Sequence, residues 1–133
     1  MKYLLDTTTI SDVLKRQPQV IDNIRKVSPR DIYISCISKY EIEYGLIKNP
    51  KYREKYRDIL QDLYRLTNDI GLTTEMALQA ALLANNLKEK GKPIGVPDMF
   101  IAATALSKEL IVVTSNTKHF ERVDVCIEDW RII

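Results

Sequence analysis

The stretch that most constrains the fold is residues 95–116, which reads GVPDMFIAATALSKELIVVTSN. Pro97 suits the first turn of a helix, where the amide donor that proline lacks is not needed. Residues 99–106 are almost all apolar and include three alanines, which is typical of a helix buried against a sheet. A short apolar strand is predicted at residues 110–114. A buried helix that leads into a buried strand indicates a βαβ unit of a parallel sheet.

The bulk properties of the chain exclude few functions. A length of 133 residues fits one domain, which we predict over residues 1–133. The net charge of +2 is too small to indicate a nucleic-acid-binding protein by itself. No apolar run approaches the length of a membrane helix, and Met1 and Lys2 lead directly into an apolar strand. We therefore expect no membrane segment, no signal peptide and a cytoplasmic location.

The two cysteines give no sign of metal or disulfide chemistry. Cys36 and Cys126 lie far apart in the sequence and fit no metal-ligand spacing. We predict that both are small hydrophobic residues of the core.

Strand and helix signals follow one another along the whole chain. Helices are predicted to begin near residues 10, 19, 38, 50, 74, 97 and 117. Five strands are predicted, at residues 2–5, 31–37, 69–72, 110–114 and 123–127. This order predicts an α/β fold with a mostly parallel sheet.

Two side-chain patterns predict how helices begin. Thr9 with Asp12 three residues later resembles an N-cap pair. Ser38 and Glu41 form an S-x-x-E capping box, in which each side chain accepts a hydrogen bond from a free backbone amide.

Three acids occupy the same kind of place in this predicted order. Asp6 ends the first strand, Glu41 opens the helix after the second strand, and Asp98 opens the helix before the fourth. If the strands are parallel neighbours, these acids meet at the edge where α/β sheets bind ligands. Converging carboxylates repel one another unless a hard cation bridges them, and oxygen ligands favour Mg²⁺ or Mn²⁺. Thr114 ends the fourth strand and Asn116 lies just past it, and both could add neutral oxygens.

Each member of this set also has a purely structural interpretation. Glu41 can serve its capping box, and Asp98 can be an acid that the helix dipole favours. Asp6 can cap the turn that follows it, and Asn116 can cap the short helix after it. Only the joint pattern indicates a metal site.

Three motifs in this order resemble those of the PIN-domain ribonucleases and, within them, the VapC toxins of toxin–antitoxin pairs. The first is YLLDTTTIS at residues 3–11, and the second is ISCISKYEIEYGL at residues 34–46. The third runs from residue 92 to residue 130 and contains KPIGVPDMFIAATAL, LIVVTSNTKHFERV and IEDW. The resemblance therefore covers nearly the whole chain.

This resemblance implies a three-layer α/β/α sandwich and a metal-dependent endoribonuclease. The metal-binding acids of the family fall on Asp6, Glu41 and Asp98. Its fourth catalytic position falls on Asn116, and Thr114 provides the hydroxyl at the strand end. In such enzymes Mg²⁺ or Mn²⁺ activates water for in-line attack on the phosphodiester, which leaves a 3′-hydroxyl. The resemblance also implies a cognate antitoxin protein as partner and a homodimer.

Two positions depart from the pattern of the family. Thr8 stands where the family usually has Asn, and Asn116 stands where it often has Asp. The loss of one negative charge should weaken a second metal ion more than the first, so catalysis with one metal, or with Mn²⁺, is a hypothesis. Two alternatives to a ribonuclease are a catalytically degenerate RNA- or protein-binding module and a related metal-dependent DNA nuclease.

Basic residues mark two candidate surfaces for RNA. The first is the helix near residues 48–57, where Tyr52 and Tyr56 alternate with basic side chains but also have core-facing spacing. The second is the loop before Asp98, which follows Lys88, Lys90 and Lys92.

The remaining candidates concern His119 and the protein partners. His119 is the one histidine, and we expect it to support the site or lie at the surface rather than act as a general base. Residues 9–27 and 41–67 are the predicted helical surfaces for the antitoxin and the second protomer, without an assignment of either surface to either partner.

Overall fold

A central sheet of five parallel strands organises the structure. The computed structural model describes residues 1–132. The strands are β1 (Tyr3–Leu5), β2 (Ile32–Ser35), β3 (Asn68–Ile70), β4 (Ile111–Val113) and β5 (Ile127–Glu128). Their order in the sheet is β3-β2-β1-β4-β5, and every neighbouring pair is parallel. The predicted mostly parallel sheet is confirmed, and β1 lies at its centre.

Helices cover both faces of this sheet. They are α1 (Thr7–Leu14), α2 (Pro18–Arg25), α3 (Cys36–Lys48), α4 (Pro50–Leu66), α5 (Thr74–Glu89), α6 (Val96–Lys108) and α7 (Thr117–Phe120). Leu5 of β1 belongs to the core formed with α1 to α4, and Leu4 belongs to the core formed with α5 to α7. The alternation of side chains along a strand thus divides the core into two layers. This arrangement is the three-layer α/β/α sandwich that the resemblance implies.

Helix α6 is buried as its composition predicts. Ile101, Ala102 and Ala103 have no solvent exposure, and Met99 and Ala105 are also buried. The alanines allow the helix to approach β4 and α5 closely, since they add little bulk. Because α6 is held on several sides, the first turn that carries Asp98 has a fixed position at the edge of the sheet.

The starts of α1 and α3 differ from the predicted caps. Asp6, not Thr9, is the N-cap of α1, and its carboxylate accepts the Thr9 N–H at 2.9 Å. Ser35, not Ser38, is the N-cap of α3, and its hydroxyl accepts the Ser38 N–H at 3.2 Å. Both predictions were wrong for the same reason, because each helix begins at the residue next to its strand and leaves no room for a loop. The interpretation of Glu41 as half of a capping box is therefore excluded.

The environment of the two cysteines differs from the prediction. Cys36 and Cys126 are both exposed and free, so the prediction of two core cysteines was wrong.

Near the C-terminus, the Arg131 guanidinium donates two hydrogen bonds of 2.7 Å to the buried Asp12 carboxylate of α1. Within residues 1–132 no helix has both the length and the apolar character needed to cross a membrane.

Candidate active site at the carboxyl edge of the sheet

Asp6 is the most firmly held residue of the candidate site. It follows the last residue of β1, at the centre of the sheet, and is 2% exposed. Its Oδ1 accepts hydrogen bonds from the Thr8 hydroxyl at 2.7 Å and from the Thr9 N–H at 2.9 Å. Its Oδ2 accepts a hydrogen bond from the Thr114 hydroxyl at 2.5 Å. Three donors thus fix both carboxylate oxygens in one orientation.

Burial dominates the electrostatics of Asp6. The pKa of its carboxyl group is raised above the ordinary value because burial disfavours the charged form, although the hydrogen bonds from Thr114 and Thr8 act in the opposite direction. Hydrogen bonds offset only part of the cost of burying this negative charge, so a nearby cation would stabilise the carboxylate. The environment of Asp6 is therefore suited to binding a positive ion.

The end of β4 is joined to the start of α1 beside Asp6. The Thr9 hydroxyl donates to the Val113 carbonyl at 2.7 Å, and the Ser115 N–H donates to the Thr8 hydroxyl at 3.1 Å. Thr8 therefore contacts both Asp6 and the loop after β4. The family usually has asparagine at this position. Here the Thr8 hydroxyl makes a contact that orients Asp6.

Glu41 reaches the same edge from the second turn of α3. Its Oε1 accepts a hydrogen bond from the Thr7 hydroxyl at 2.5 Å, and Thr7 is the neighbour of Asp6. The side chain is half-buried, and it also lines a groove between α1, α3 and α4. Because Glu41 has no capping role, this contact with α1 is its structural connection to the site.

Asp98, Asn116 and His119 form the other side of the site. His119 Nδ1 lies 2.7 Å from Asp98 Oδ2 and 2.9 Å from Asn116 Nδ2, so one ring nitrogen is within hydrogen-bond distance of both side chains. The Asn116 N–H donates to the Thr114 hydroxyl at 2.9 Å, and the Asn116 side chain makes no cap hydrogen bond to α7. The interpretation of Asn116 as a side-chain cap is therefore excluded, and His119 has a supporting contact with the site.

Hydrogen bonds link four of the predicted site residues through His119. Asp6 contacts Thr114, Thr114 contacts Asn116, and His119 connects Asn116 with Asp98. Glu41 lies outside this network and is hydrogen-bonded to Thr7, the chain neighbour of Asp6. Within residues 1–132, however, no three His, Cys, Asp or Glu side chains converge closely enough to hold a metal ion. The carboxylates of Glu41 and Asp98 contact Thr7 and His119 instead.

The donor set nevertheless fits a hard divalent cation in its chemistry. Carboxylate, amide and hydroxyl oxygens are the ligands that Mg²⁺ and Mn²⁺ prefer, and such ions keep several waters. Asp6 is already oriented, while Glu41 and Asp98 are only half-buried. A cation held by all three acids would replace the hydrogen bond of Glu41 to Thr7 and that of Asp98 to His119.

The contacts of Thr7 and Thr9 were not predicted from the sequence. A signal was present, because three consecutive threonines directly after a strand-end acid give an unusual number of short hydroxyl donors next to one carboxylate. The partners of these hydroxyls lie in α3 for Thr7 and in β4 for Thr9, and local sequence does not show which elements pack there.

Comparison with known proteins identifies the family. Residues 3–125 match the PIN domain family. Ribonuclease VapC1 of Haemophilus influenzae is 32% identical over 98% of both chains, and the tRNA(fMet)-specific endonuclease VapC of Salmonella typhimurium is 30% identical over 98% of both chains. The chain belongs to the PIN-domain family, and its similar relatives there are VapC ribonucleases.

A solved structure agrees with this relationship in three dimensions. A chain in the crystal structure of VapBC2 from Rickettsia felis, bound to a DNA fragment from their promoter, superposes with a TM-score of 0.88. It is 26% identical in sequence, and the alignment covers 98% of this chain and 99% of that one. The fold is therefore that of the PIN-domain family over nearly the full length of the described chain.

Proposed function

We propose that this protein is a metal-dependent endoribonuclease that hydrolyses RNA phosphodiester bonds and serves as the toxin of a toxin–antitoxin pair. The observation that carries this proposal is the set of hydrogen bonds at the carboxyl edge of the sheet that hold three acids distant in sequence. The similarity to VapC ribonucleases supports RNA hydrolysis as the reaction at this site. Its RNA substrate lies in the cytoplasm, where we propose that the protein acts.

Asp6, Glu41 and Asp98 would hold Mg²⁺ or Mn²⁺, with Thr114 and Asn116 as neutral neighbours. A divalent ion bound there supplies positive charge to the scissile phosphoryl group and lowers the pKa of the attacking water. We propose that one ion suffices, since Asn116 contributes no charge. The oxygen donors of this edge support this choice of metals over softer ones.

The protein residues would contribute orientation and proton acceptance. Asp6 needs no rearrangement, because Thr8, Thr9 and Thr114 already fix its carboxylate. Glu41 Oε1, which now accepts from Thr7, would turn to the cation, and Oε2 would remain as an acceptor for a proton of the attacking water. Asp98 and Asn116 would be positioned together through their common contact with His119.

The antitoxin is the proposed protein partner, and a homodimer is the proposed assembly of the toxin itself. The structural similarity to a VapBC2 chain supports such a partner. A groove of about 400 Å³ between α1, α3 and α4 opens beside Glu41, and its apolar lining includes Leu14, Ile42, Leu46 and Tyr56. We propose that a segment of the antitoxin occupies this groove and covers the site. The test is whether the cognate antitoxin forms a stable complex that stops RNA cleavage.

Cleavage of a mixed structured-RNA pool by the purified chain tests the enzymatic proposal. The pool contains initiator tRNA, because one relative is a tRNA(fMet)-specific endonuclease. The reaction is run in Mg²⁺, in Mn²⁺ and in chelator, beside the Asp98→Asn variant. We expect cleavage that requires metal and is lost in the variant.

The other outcomes identify the alternatives. Equal cleavage by the wild-type chain and the variant would contradict a site at Asp98. Cleavage of DNA but not of RNA of the same sequence would favour a DNA nuclease. RNA binding without cleavage in any metal would favour a binding module that has lost its catalytic activity.

A further inference from the structure

A basic cleft lies next to the Asp98 side of the candidate active site. It is formed by the end of α5, the loop at residues 90–95 and α7, and its volume is about 560 Å³. Four exposed cations and one exposed acid line it over the buried Leu87. These charged residues, which define the basic cleft, are Lys90, Lys92, Lys118, Arg122 and Glu121.

The positive charge of the basic cleft is not neutralised within the protein. Among residues 1–132, none of its four cations lies within 4.0 Å of a carboxylate. The basic stretch of α4 is paired only in part: Arg57 pairs with Glu54 at 3.1 Å and with Asp58 at 3.5 Å, whereas Lys51, Arg53 and Lys55 have no carboxylate within 4.0 Å among the described residues. The basic cleft differs from it in place, since α7 carries both Lys118 of the cleft and the His119 that contacts Asp98.

The basic cleft adjoins the site through α7. His119, which contacts Asp98, is adjacent in α7 to Lys118 of the cleft. Arg122 Nη1 donates a hydrogen bond of 2.8 Å to the Pro93 carbonyl and so joins α7 to the loop that leads into α6. One RNA strand bound across Asp98 would therefore also reach the basic cleft.

We propose that the basic cleft binds backbone phosphates of the RNA substrate next to the bond that is cut. Exposed lysines are mobile point charges that suit phosphates, and the lining contains no aromatic side chain on which a base could stack. The contact is therefore independent of sequence and adds affinity rather than selectivity. This inference rests on the proposed ribonuclease function, because it assumes that RNA occupies the adjacent site.

The test compares two double variants that remove the same charge. Lys92→Gln with Lys118→Gln changes the cleft but leaves Arg122 and its loop contact in place. Lys26→Gln with Lys108→Gln is the matched control, since these exposed lysines precede β2 and β4 at the opposite edge of the sheet. Binding of a fluorescent 30-nucleotide oligouridylate to the full-length chain is measured against salt concentration, with chelator present to keep the RNA intact.

Loss of two phosphate contacts should reduce the slope of log Kd against log salt by about 1.4 for single-stranded RNA. The control and a charge-preserving variant, Lys92→Arg with Lys118→Arg, should retain the wild-type slope. In cleavage of the RNA pool, the cleft variant should show a raised KM and an unchanged kcat. Thermal unfolding of all variants verifies that each is folded.

Equal slopes for the cleft variant and its control would overturn the proposal, as would a reduced kcat with unchanged KM. Unchanged RNA binding together with weaker binding of an acidic protein partner would also overturn it. If the wild-type chain cleaves no RNA, the proposed function fails, but the difference in salt slope still decides whether the cleft binds phosphates. The two failures are therefore distinguishable.

Discussion

The two ends of the candidate site are built in different ways. Asp6 is 2% exposed, and three donors from α1 and β4 hold its carboxylate. The Asp98 side chain is 21% exposed, and its carboxylate is held by His119, whose own side chain is 37% exposed. The core therefore fixes the Asp6 carboxylate, whereas the Asp98 carboxylate lies nearer the surface. If both acids act in the proposed site, a change at Asp6 should affect folding stability as well as activity, and a change at Asp98 should affect activity alone.

The largest expected effect is the loss of activity on replacing Asp98 by Asn. Removing one charged ligand should lower kcat/KM by about 10³-fold, since a bound metal supplies several kcal/mol of transition-state stabilisation. The midpoint of thermal unfolding should remain nearly unchanged, because Asp98 is partly exposed and lies outside the core clusters. Rate and unfolding measurements on one preparation test both parts. A large loss of stability would contradict the difference drawn between Asp98 and Asp6.

Asp6→Asn should be equally inactive but should stabilise the metal-free protein at neutral pH. Asparagine can still cap α1, and it removes a buried charge. Because the folded-state pKa of Asp6 is raised above its ordinary value of 3.8, its contribution to stability is greatest below that pH and falls as pH rises through the raised pKa. The stability advantage of the variant should therefore grow with pH above about 4. Urea unfolding in chelator at several pH values measures it, and an advantage that shrinks with pH would be inconsistent with this account.

Thr114→Val should have an intermediate effect. The substitution leaves Asp6 Oδ2 and the Asn116 N–H without the hydroxyl that they share, and Thr114 is fully buried. We expect the free energy of unfolding to fall by about 1–3 kcal/mol. Thr104→Val is the matched control, since Thr104 is equally buried but its hydroxyl donates to the Phe100 carbonyl within α6. Equal losses of unfolding free energy in the two variants would show that the contact with Asp6 stabilises the fold no more than the buried hydroxyl of Thr104 does.

The smallest expected effect is that of His119→Ala. Asp98 and Asn116 would lose their common neighbour, so kcat should fall by about tenfold, which corresponds to 1.4 kcal/mol, with little change in stability. His119→Gln retains a hydrogen-bond donor and should recover part of the rate. A loss as large as that of Asp98→Asn would indicate that His119 itself acts on the substrate.

Sequence reasoning identified the elements better than their ends. The periodicity of α6 and the apolar runs of β1 and β4 were sufficient for the α/β fold, since burial on both faces leaves a strong pattern. The second strand was predicted at residues 31–37, but it ends at Ser35 because Ser35 caps α3 directly. The burial of the two cysteines also depended on tertiary contacts that residue type does not determine.

Some contacts within the candidate site also depend on tertiary structure that the sequence pattern does not determine. Strand ends and helix starts placed Asp6, Glu41 and Asp98 at one edge, because parallel strands align their carboxyl ends. Thr8 and Thr9 contact Asp6 locally, but other contacts that orient these acids come from residues more than 20 positions away, such as Thr114 for Asp6 and His119 for Asp98. The pairing of Arg131 with Asp12 likewise depends on the position of the last residues after β5. Such contacts follow from the sheet order rather than from local sequence.

Mn²⁺ binding to the purified chain, measured by calorimetry, tests the central claim that Asp6, Glu41 and Asp98 form one metal site. The comparison uses Asp6→Asn, Glu41→Gln and Asp98→Asn, with Asp22→Asn on the exposed side of α2 as the control. We predict at least tenfold weaker binding in each of the three site variants and wild-type affinity in the control. Equal affinity in all five proteins would contradict a metal site at this edge of the sheet.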